Sequence, residues 1–351
     1  MAAAASLRCS PPEPSPEVWE REPDYYVQHA VLGHVHRPDA RRSTAVPEHP
    51  SGQVVFRTEA RGFRADADVV VPKPPGTWRL LVLGDSHVDG VVDNSESLSA
   101  ALAPRLMVAA RSAGFDGQVE VVNGGTGHWG PAQYGAAPGV WAELEADACL
   151  VVIYEGNDYL DALAAEERAG LRMLRRSEDH FDRLYSAQQV VGEHVSQQLN
   201  QDLVFATDAT AAEDALGLTL AALAQAQASC PLSVVVLPTA GSVDPLTDAQ
   251  SAHVGDHLGL SPQARLSGRA LSRRLLTALE ATGTPAVDAW PTMYAARHGL
   301  PGVDGVKTAP TRMFWAADQH LSVAGHSALA QAVDQALGPH WWPLQPSAGL
   351  P

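Results

Sequence analysis

Five short apolar runs recur along the chain, and stretches with helical character separate them. The first, residues 80–83, is bulky and lacks an alternation of apolar and polar residues, which is typical of a strand buried on both faces of a parallel sheet. The other runs are residues 119–122, 148–154, 232–237 and 286–289. Strands that alternate with helices predict a three-layer α/β/α sandwich around a five-stranded parallel sheet.

Length and charge restrict the classes of protein that the chain can be. Its 351 residues suffice for a large core, and 45% hydrophobic with 18% charged residues indicate an ordered globular protein. The net charge of −16 argues against a nucleic-acid or anionic-membrane partner, because both would repel it. No run approaches about eighteen apolar residues, and residues 1–6 lack a basic region followed by an apolar segment. We therefore expect a cytoplasmic protein without a membrane span.

The patterning divides the chain into unequal parts. Residues 1–76 are rich in Pro, Arg and acidic residues and show no sustained period, so we expect an extension of loops and short strands packed on the main domain. Residues 77–340 form that domain, and residues 341–351 form a Pro-rich tail. A long, charged, mostly helical insert, residues 159–208, follows the third strand, which makes it a candidate lid or pocket wall.

Cysteines and clustered histidines give no sign of a framework. Three cysteines are too few and too scattered for a set of disulfides, and we interpret them as core residues or bystanders. They are Cys9, Cys149 and Cys230.

Three histidines lie close together in the extension, at His29, His34 and His36. No further ligands accompany them, so we expect surface or loop histidines and no metal site.

Polar clusters follow the first three strands, and a fourth cluster precedes the last helix. They are Gly84-Asp85-Ser86, residues 123–130, Gly156-Asn157-Asp158 and Asp318-Gln319-His320. The carboxyl ends of parallel strands share one rim, where ligands bind in open α/β sheets. Ser86 stands where a strand turns into a helix, which makes it a candidate nucleophile. The alternative is a serine that only caps the helix.

Acyl transfer needs residues of these types. A serine hydroxyl is a poor nucleophile until an imidazole takes its proton, and a carboxylate orients that imidazole. His320 fits the base and Asp318 fits the carboxylate, while His87 is a rival base because it adjoins Ser86. The oxyanion of a tetrahedral intermediate needs hydrogen-bond donors. Three groups are well placed to donate: the Ser86 N–H, an N–H near Gly127 and the Asn157 side-chain amide.

The four blocks, in this order, resemble those of the SGNH (GDSL-type) hydrolase superfamily. The resemblance covers roughly residues 78–340 and rests on the GDS serine, the Gly-rich turn, the G-N-D turn and the Asp…His pair. It implies a flavodoxin-like sheet of five parallel strands, no cofactor, and hydrolysis or transfer of ester-linked acyl groups. The implied substrate is a small-molecule or carbohydrate ester.

Two departures from the family pattern bear on the chemistry. Alignment from Asn123 puts His128 at the family's oxyanion glycine, whereas the flexible residue is Gly127. Asp318 precedes His320 by two positions, a spacing that resembles the alginate-type O-acetyltransferase branch. The leading hypothesis is a serine esterase with a Ser86, His320, Asp318 triad. An O-acyltransferase that uses the same residues and a noncatalytic binding module on this fold are the alternatives.

Overall fold

A computed structural model describes residues 17–168, 170–191, 195–208, 210–262, 264–302, 305, 307 and 309–342. The first sixteen residues of the expected extension and the expected tail beyond Trp342 lie outside the described residues.

Two antiparallel hairpins form the described part of the extension. A short helix α1 (Val18–Arg21) leads into β1 (Tyr26–His29), which pairs with β2 (Gly33–His36). The second hairpin joins β3 (Arg41–Ala45) to β4 (Gln53–Arg57).

Five parallel strands form the central sheet. They are β5 (Thr77–Leu83), β6 (Gln118–Asn123), β7 (Ala148–Tyr154), β8 (Leu232–Leu237) and β9 (Ala286–Asp288). Their spatial order is β6-β5-β7-β8-β9, which is the flavodoxin-like order of a doubly wound sheet. All residues of β7 and β8 are buried, which explains why these runs show no alternation.

Helices cover both faces of the sheet. They are α2 (Ser86–Asp89), α3 (Leu98–Ser112), α4 (Pro131–Val140), α5 (Asp158–Arg168), α6 (His180–Val191), α7 (Ser196–Thr207), α8 (Ala211–Ser229), α9 (Ala240–Val243), α10 (Asp248–Leu258), α11 (Ser267–Ala281), α12 (Trp290–His298) and α13 (Val323–Trp341). One core joins the sheet to α4, α8 and α11, and a second core joins it to α3, α12 and α13. The predicted three-layer α/β/α sandwich with a five-stranded parallel sheet is confirmed.

Part of the insert packs in a core of its own. Tyr159 and Leu163 of α5 and the carboxyl-terminal part of α7, including Val204, belong to the main core. Helix α6 and the rest of α7 instead pack with α10 around Val191, Leu199 and Val254. No helix among the described residues has the length and apolar character needed to cross a bilayer.

The extension is fastened to the main domain by a buried arginine. Arg64 follows the second hairpin and is 3% exposed. Its guanidinium donates hydrogen bonds to the backbone carbonyls of Asp89, the last residue of α2, and of Gly90 and Val92, which follow that helix. Its Nε also donates to the Asn94 side chain at 2.9 Å. One cation therefore satisfies several buried acceptors of the segment that follows Ser86.

Two expectations about the cysteines and histidines are wrong. Cys149 and Cys230 are core residues, but they are also joined in a disulfide with a Cα–Cα distance of 5.9 Å. The pairing arises because β7 and β8 are adjacent and Cys230 lies two residues before the first residue of β8, a proximity that the spacing of 81 residues conceals. His34 and His36 are buried rather than exposed, since alternate residues of β2 face the main domain.

Candidate active site

Ser86 begins α2 at the carboxyl end of β5. The preceding Gly84 is required there, because a Cβ at that position would lie 2.4 Å from the Val88 side chain. Asp85 is the cap of α2, and its carboxylate accepts the His87 backbone N–H at 2.8 Å. The capping role therefore belongs to Asp85, and the Ser86 hydroxyl is left for another partner.

That partner is His320. The Ser86 Oγ lies 2.8 Å from His320 Nε2, and His320 Nδ1 lies 2.5 Å from Asp318 Oδ1. The same carboxylate oxygen accepts the backbone N–H of His320 at 3.0 Å. A carboxylate on Nδ1 selects the tautomer in which Nδ1 carries the proton and Nε2 accepts from the hydroxyl.

The electrostatics of the pair favour a basic imidazole. Burial disfavours the charged ring of His320, but the hydrogen bond and the charge of Asp318 outweigh burial and hold the pKa of His320 above its ordinary value. Burial likewise raises the pKa of Asp318, and the hydrogen bond and charge of His320 outweigh it, so that the Asp318 pKa is lowered. Asp318 is therefore ionised where the base works.

His87, the rival base, has other partners. The ring is fully buried, with Nδ1 3.2 Å from Asp85 Oδ1 and Nε2 3.1 Å from the carbonyl oxygen of Gln319. It also stacks on Tyr154, with ring centroids 3.7 Å apart. Burial raises the pKa of Asp85, but the charge and hydrogen bonds of His87 outweigh burial, so the pKa of Asp85 lies below its ordinary value.

The second histidine near the site, His326, is a structural residue of α13. It is fully buried, and its ring nitrogens make no hydrogen bond to the described residues. Burial lowers the pKa of His326 to about 3. Its ring is therefore neutral near neutral pH.

Gly127 lies in the turn after β6, against the extension. His34 Nε2 lies 2.8 Å from its carbonyl oxygen, and a Cβ on Gly127 would lie 2.4 Å from the Tyr26 hydroxyl. The left-handed backbone conformation is at the next residue, because His128 has a φ of 64°. The glycine at 127 is thus explained by the close approach of Tyr26 and not by its conformation.

Two backbone donors near Ser86 have no partner. The N–H groups of Ser86 and Gly127 donate to no other residue in the described part of the chain. Gly127 is buried, whereas His128 is exposed and its N–H can be hydrated. Because buried N–H groups are nearly always paired, a free one at Gly127 indicates a place for an external acceptor.

Asn157 stands between β7 and α5 at the same edge of the sheet. Its side-chain Nδ2 donates to Asp161 Oδ2 at 2.5 Å, and its backbone carbonyl accepts the Asp161 N–H at 2.8 Å. A primary amide has two N–H donors, so one is left over. Next to it Asp158 is fully buried and accepts the Tyr154 N–H at 2.8 Å and the Tyr134 hydroxyl at 2.9 Å, which fixes the turn to the sheet.

A cavity of about 380 Å³ adjoins the His320 ring and the Asp318 carboxylate. It is lined by Gln188, Ser196, Ala317, Asp318, Gln319 and His320. The insert supplies Gln188 and Ser196, and the Ser196 hydroxyl donates to the Gln319 side chain at 3.2 Å. Amide, hydroxyl and carboxylate groups dominate the lining, so the cavity suits a polar guest.

Sequence reasoning missed the part that the extension takes in the site. Besides Tyr26 and His34, Glu48 reaches it: its carboxylate accepts the N–H groups of Ala316 and Ala317, at 2.7 and 2.9 Å. The spacing of His34 and His36 was the available signal, since residues two apart on a strand face the same side.

The fold and the site define an α/β protein with a hydrogen-bonded Ser-His-Asp chain at the carboxyl edge of a parallel sheet. No protein-family model matches the chain, and no curated protein matches it. Among solved structures it is similar to an acetylxylan esterase from Geobacillus stearothermophilus, with 13% identity and a TM-score of 0.42 over 76% of this chain and 97% of that chain. It is also similar to a member of the lipolytic protein G-D-S-L family from Veillonella parvula, with 10% identity and a TM-score of 0.39 over 74% and 98% of the two chains.

Proposed function

We propose that this protein is a serine esterase of the SGNH type that cleaves a carboxylic ester through an acyl-enzyme. The observation that carries the proposal is the continuous chain of two hydrogen bonds, 2.8 and 2.5 Å long, from Ser86 through His320 to Asp318. A serine in such a chain is activated by proton transfer to the imidazole. The Ser86, Gly127 and Asn157 donors supply the oxyanion hole.

Each step conserves atoms and charge. Ser86 Oγ bonds to the ester carbonyl carbon while His320 Nε2 takes its proton, and the carbonyl oxygen becomes an oxyanion that the three donors stabilise. The bond from carbon to the alcohol oxygen then breaks, and His320 returns the proton to that oxygen. A water repeats the sequence on the acyl-Ser86 ester and releases the acid.

The cavity beside His320 supports a hydroxyl-rich alcohol in the substrate. In the first half of the reaction His320 must reach the alcohol oxygen, so the alcohol occupies the side of the imidazole that this cavity adjoins. Gln188 and Ser196 offer hydrogen bonds to hydroxyl groups, and Ala317 is the one apolar residue among the described residues that line the cavity. A carbohydrate or polyol ester therefore fits better than the ester of a long-chain alcohol.

The same cavity supports the second candidate, an O-acyltransferase. An acceptor alcohol bound there would meet acyl-Ser86 beside the base and replace water in the second half of the reaction. The proportion of the two products measures the choice: with a simple acetyl ester and a panel of sugar acceptors, we expect free acetate to exceed acetylated acceptor.

Aryl acetate turnover by the wild type and by Ser86→Ala tests the proposal. We expect the variant to keep the wild-type unfolding midpoint and to lose activity by several orders of magnitude, because no nucleophile replaces the hydroxyl. A serine-reactive phosphonate should label the wild type on the peptide that contains Ser86. A folded wild type that neither turns over aryl acetates nor takes the label would indicate a noncatalytic binding module.

A further inference from the structure

The insert contributes a buried glutamine that contacts both sides of the turn that carries Asn157. Gln201 lies in the middle of α7 and has no exposed surface. Its Nε2 donates to the carbonyl oxygen of Glu155 at 2.8 Å, and its Oε1 accepts the backbone N–H of Leu160 at 3.1 Å. One side chain thus joins the residue before the Gly156-Asn157 turn to the first turn of α5.

Both partners would otherwise be unpaired. The Glu155 carbonyl follows the last residue of β7, and the Leu160 N–H belongs to the first turn of a helix, where N–H groups have no partner within the helix. Glu155 and Leu160 are buried, so water does not replace the glutamine freely. Leaving a buried donor or acceptor unsatisfied destabilises the arrangement that buries it.

The surroundings hold this arrangement in one place. A Cβ on Gly268, at the start of α11, would lie 2.0 Å from the Glu155 carbonyl oxygen and 2.9 Å from Gln201 Nε2. The carbonyl is therefore enclosed by Gln201 and by the backbone of α11. On the other side of the turn, Asp158 is bound to the Tyr154 N–H. The turn is fixed from the sheet by Asp158 and from the insert by Gln201.

We propose that Gln201 is a positioning residue for the Asn157 donor of the oxyanion hole, and that positioning this donor is a function of the insert. The inference rests on the proposed esterase function. An oxyanion donor acts through its placement, because its hydrogen bond must be formed where charge develops and not in the ground state. Loss of Gln201 should therefore lower kcat and leave KM nearly unchanged.

The same helix offers a matched control. Gln198 is three residues away, is 8% exposed, and donates through Nε2 to the carbonyl of Arg265 at 2.8 Å. It makes no hydrogen bond to residues 155–160 among the described residues. Gln198→Met and Gln201→Met each remove a buried amide from α7, so both should lower the unfolding midpoint.

Only the Gln201 change should affect the chemistry. We expect Gln201→Met to lower kcat for an aryl acetate by about tenfold, the equivalent of about 1.4 kcal/mol, and Gln198→Met to stay within about twofold of the wild type. In an Asn157→Ala background, Gln201→Met should have little further effect on kcat, because the residue through which it acts is already gone. Equal losses for the two glutamines, or a full Gln201 effect without Asn157, would overturn the proposal.

Two further measurements keep the test decisive if Gln201→Met is poorly folded or the wild type is inactive. Gln201→Glu keeps an acceptor for Leu160 and regains a donor when protonated, so its kcat relative to the wild type should rise as the pH falls, and that of Gln198→Glu should not. Hydrogen exchange needs no substrate: Gln201→Met should raise deuterium uptake in residues 155–161, and Gln198→Met should not. Unchanged uptake in both would contradict the positioning role, whereas an inactive wild type with this contrast would contradict only the esterase function.

Discussion

The Nε2 atom of His87 lies 3.1 Å from the carbonyl oxygen of Gln319, the residue that separates Asp318 from His320 in the chain. Since a carbonyl oxygen only accepts, His87 donates this hydrogen bond. His87, which directly follows Ser86, thereby holds the backbone between Asp318 and His320.

His87→Ala should therefore lower kcat, while His320 remains the base. The change leaves the Gln319 carbonyl unpaired and removes the ring from the Asp85 carboxylate, at a cost of about 1–3 kcal/mol for each buried group. We expect a loss of kcat of about tenfold or more, and an activity that still rises with pH through the ionisation of His320. Kinetics of His87→Ala and His320→Ala across pH check this: activity kept without His320 and abolished without His87 would make His87 the base.

The pH dependence follows from the direction of the His320 pKa. The base must be neutral to accept the Ser86 proton, so kcat/KM should increase with pH through one ionisation. Because Asp318 holds the pKa of His320 above its ordinary value, the midpoint should lie above that value. In Asp318→Asn the hydrogen bond to a carboxylate and the charge of Asp318 are lost, whereas burial and the weaker contributions of Asp85 and Asp89 remain. The midpoint should therefore move to lower pH while kcat falls by about 10⁴-fold. An unchanged midpoint in Asp318→Asn would contradict the assignment.

Asn157 should contribute to the chemical step. Asn157→Ala removes a donor, and we expect kcat to fall by about 10²- to 10³-fold with KM little changed. Asp161→Asn removes the carboxylate that orients the Asn157 amide but keeps the donor, so its loss should be smaller. Steady-state kinetics of both variants decide the point, and a change confined to KM would make Asn157 a substrate contact.

The contact between Gly127 and Tyr26 yields a reciprocal test. The added Cβ of Gly127→Ala would lie 2.4 Å from the Tyr26 hydroxyl but 3.6 Å from the ring carbon that bears it. Overpacking of this kind costs about 1–3 kcal/mol, so Gly127→Ala should lower both the unfolding midpoint and kcat/KM. Tyr26→Phe removes the obstructing oxygen and should restore most of both losses in the double variant. Additive effects of the two substitutions would contradict a shared contact.

The disulfide should matter for stability and not for turnover. Cys149 lies near the amino end of β7, so roughly 20 Å of strand separates it from the turn of Asn157. The bond closes a loop of 81 residues, which corresponds to about 4.5 kcal/mol of chain entropy in the unfolded state. Thiol titration of the denatured, unreduced protein should find one free thiol, Cys9, and Cys149→Ala with Cys230→Ala should lower the unfolding midpoint with kcat unchanged. Three free thiols would show that the bond does not form.

The sequence predicts the structure of those segments whose conformation is determined by neighbouring residues in the chain. A strand buried on both faces has to be apolar, and the polar residue that follows it has to lie at the rim of the sheet. The strand at residues 80–83 and the position of Ser86 were therefore both predictable from the sequence. Arg79 shows the limit of this reasoning. The apolar run that predicts the first strand begins at residue 80, but β5 also includes Arg79. This arginine is fully buried, and its Nε lies 2.6 Å from Glu120 Oε2.

The remainder depends on contacts between segments distant in sequence. Nothing near Gln201 or Glu48 indicates that the turn after β7 or the backbone before Asp318 lies beside them. The last helix is a smaller case, because a proline disfavours the interior of a helix and Pro339 nevertheless lies inside α13. It continues to Trp341, because that ring and the ring of Trp342 pack on Trp78 with centroids 5.8 and 4.4 Å away.

The buried guanidinium of Arg64 also determines how this protein can be recombined with others. A chimaera joined at residue 77, with an unrelated leader ahead of β5, would leave the carbonyls of Asp89, Gly90 and Val92 without their donor, three to six residues after Ser86. The hairpins and the sheet therefore form one exchangeable unit. A homologous sequence can replace the segment around Ser86 only together with its own counterpart of Arg64.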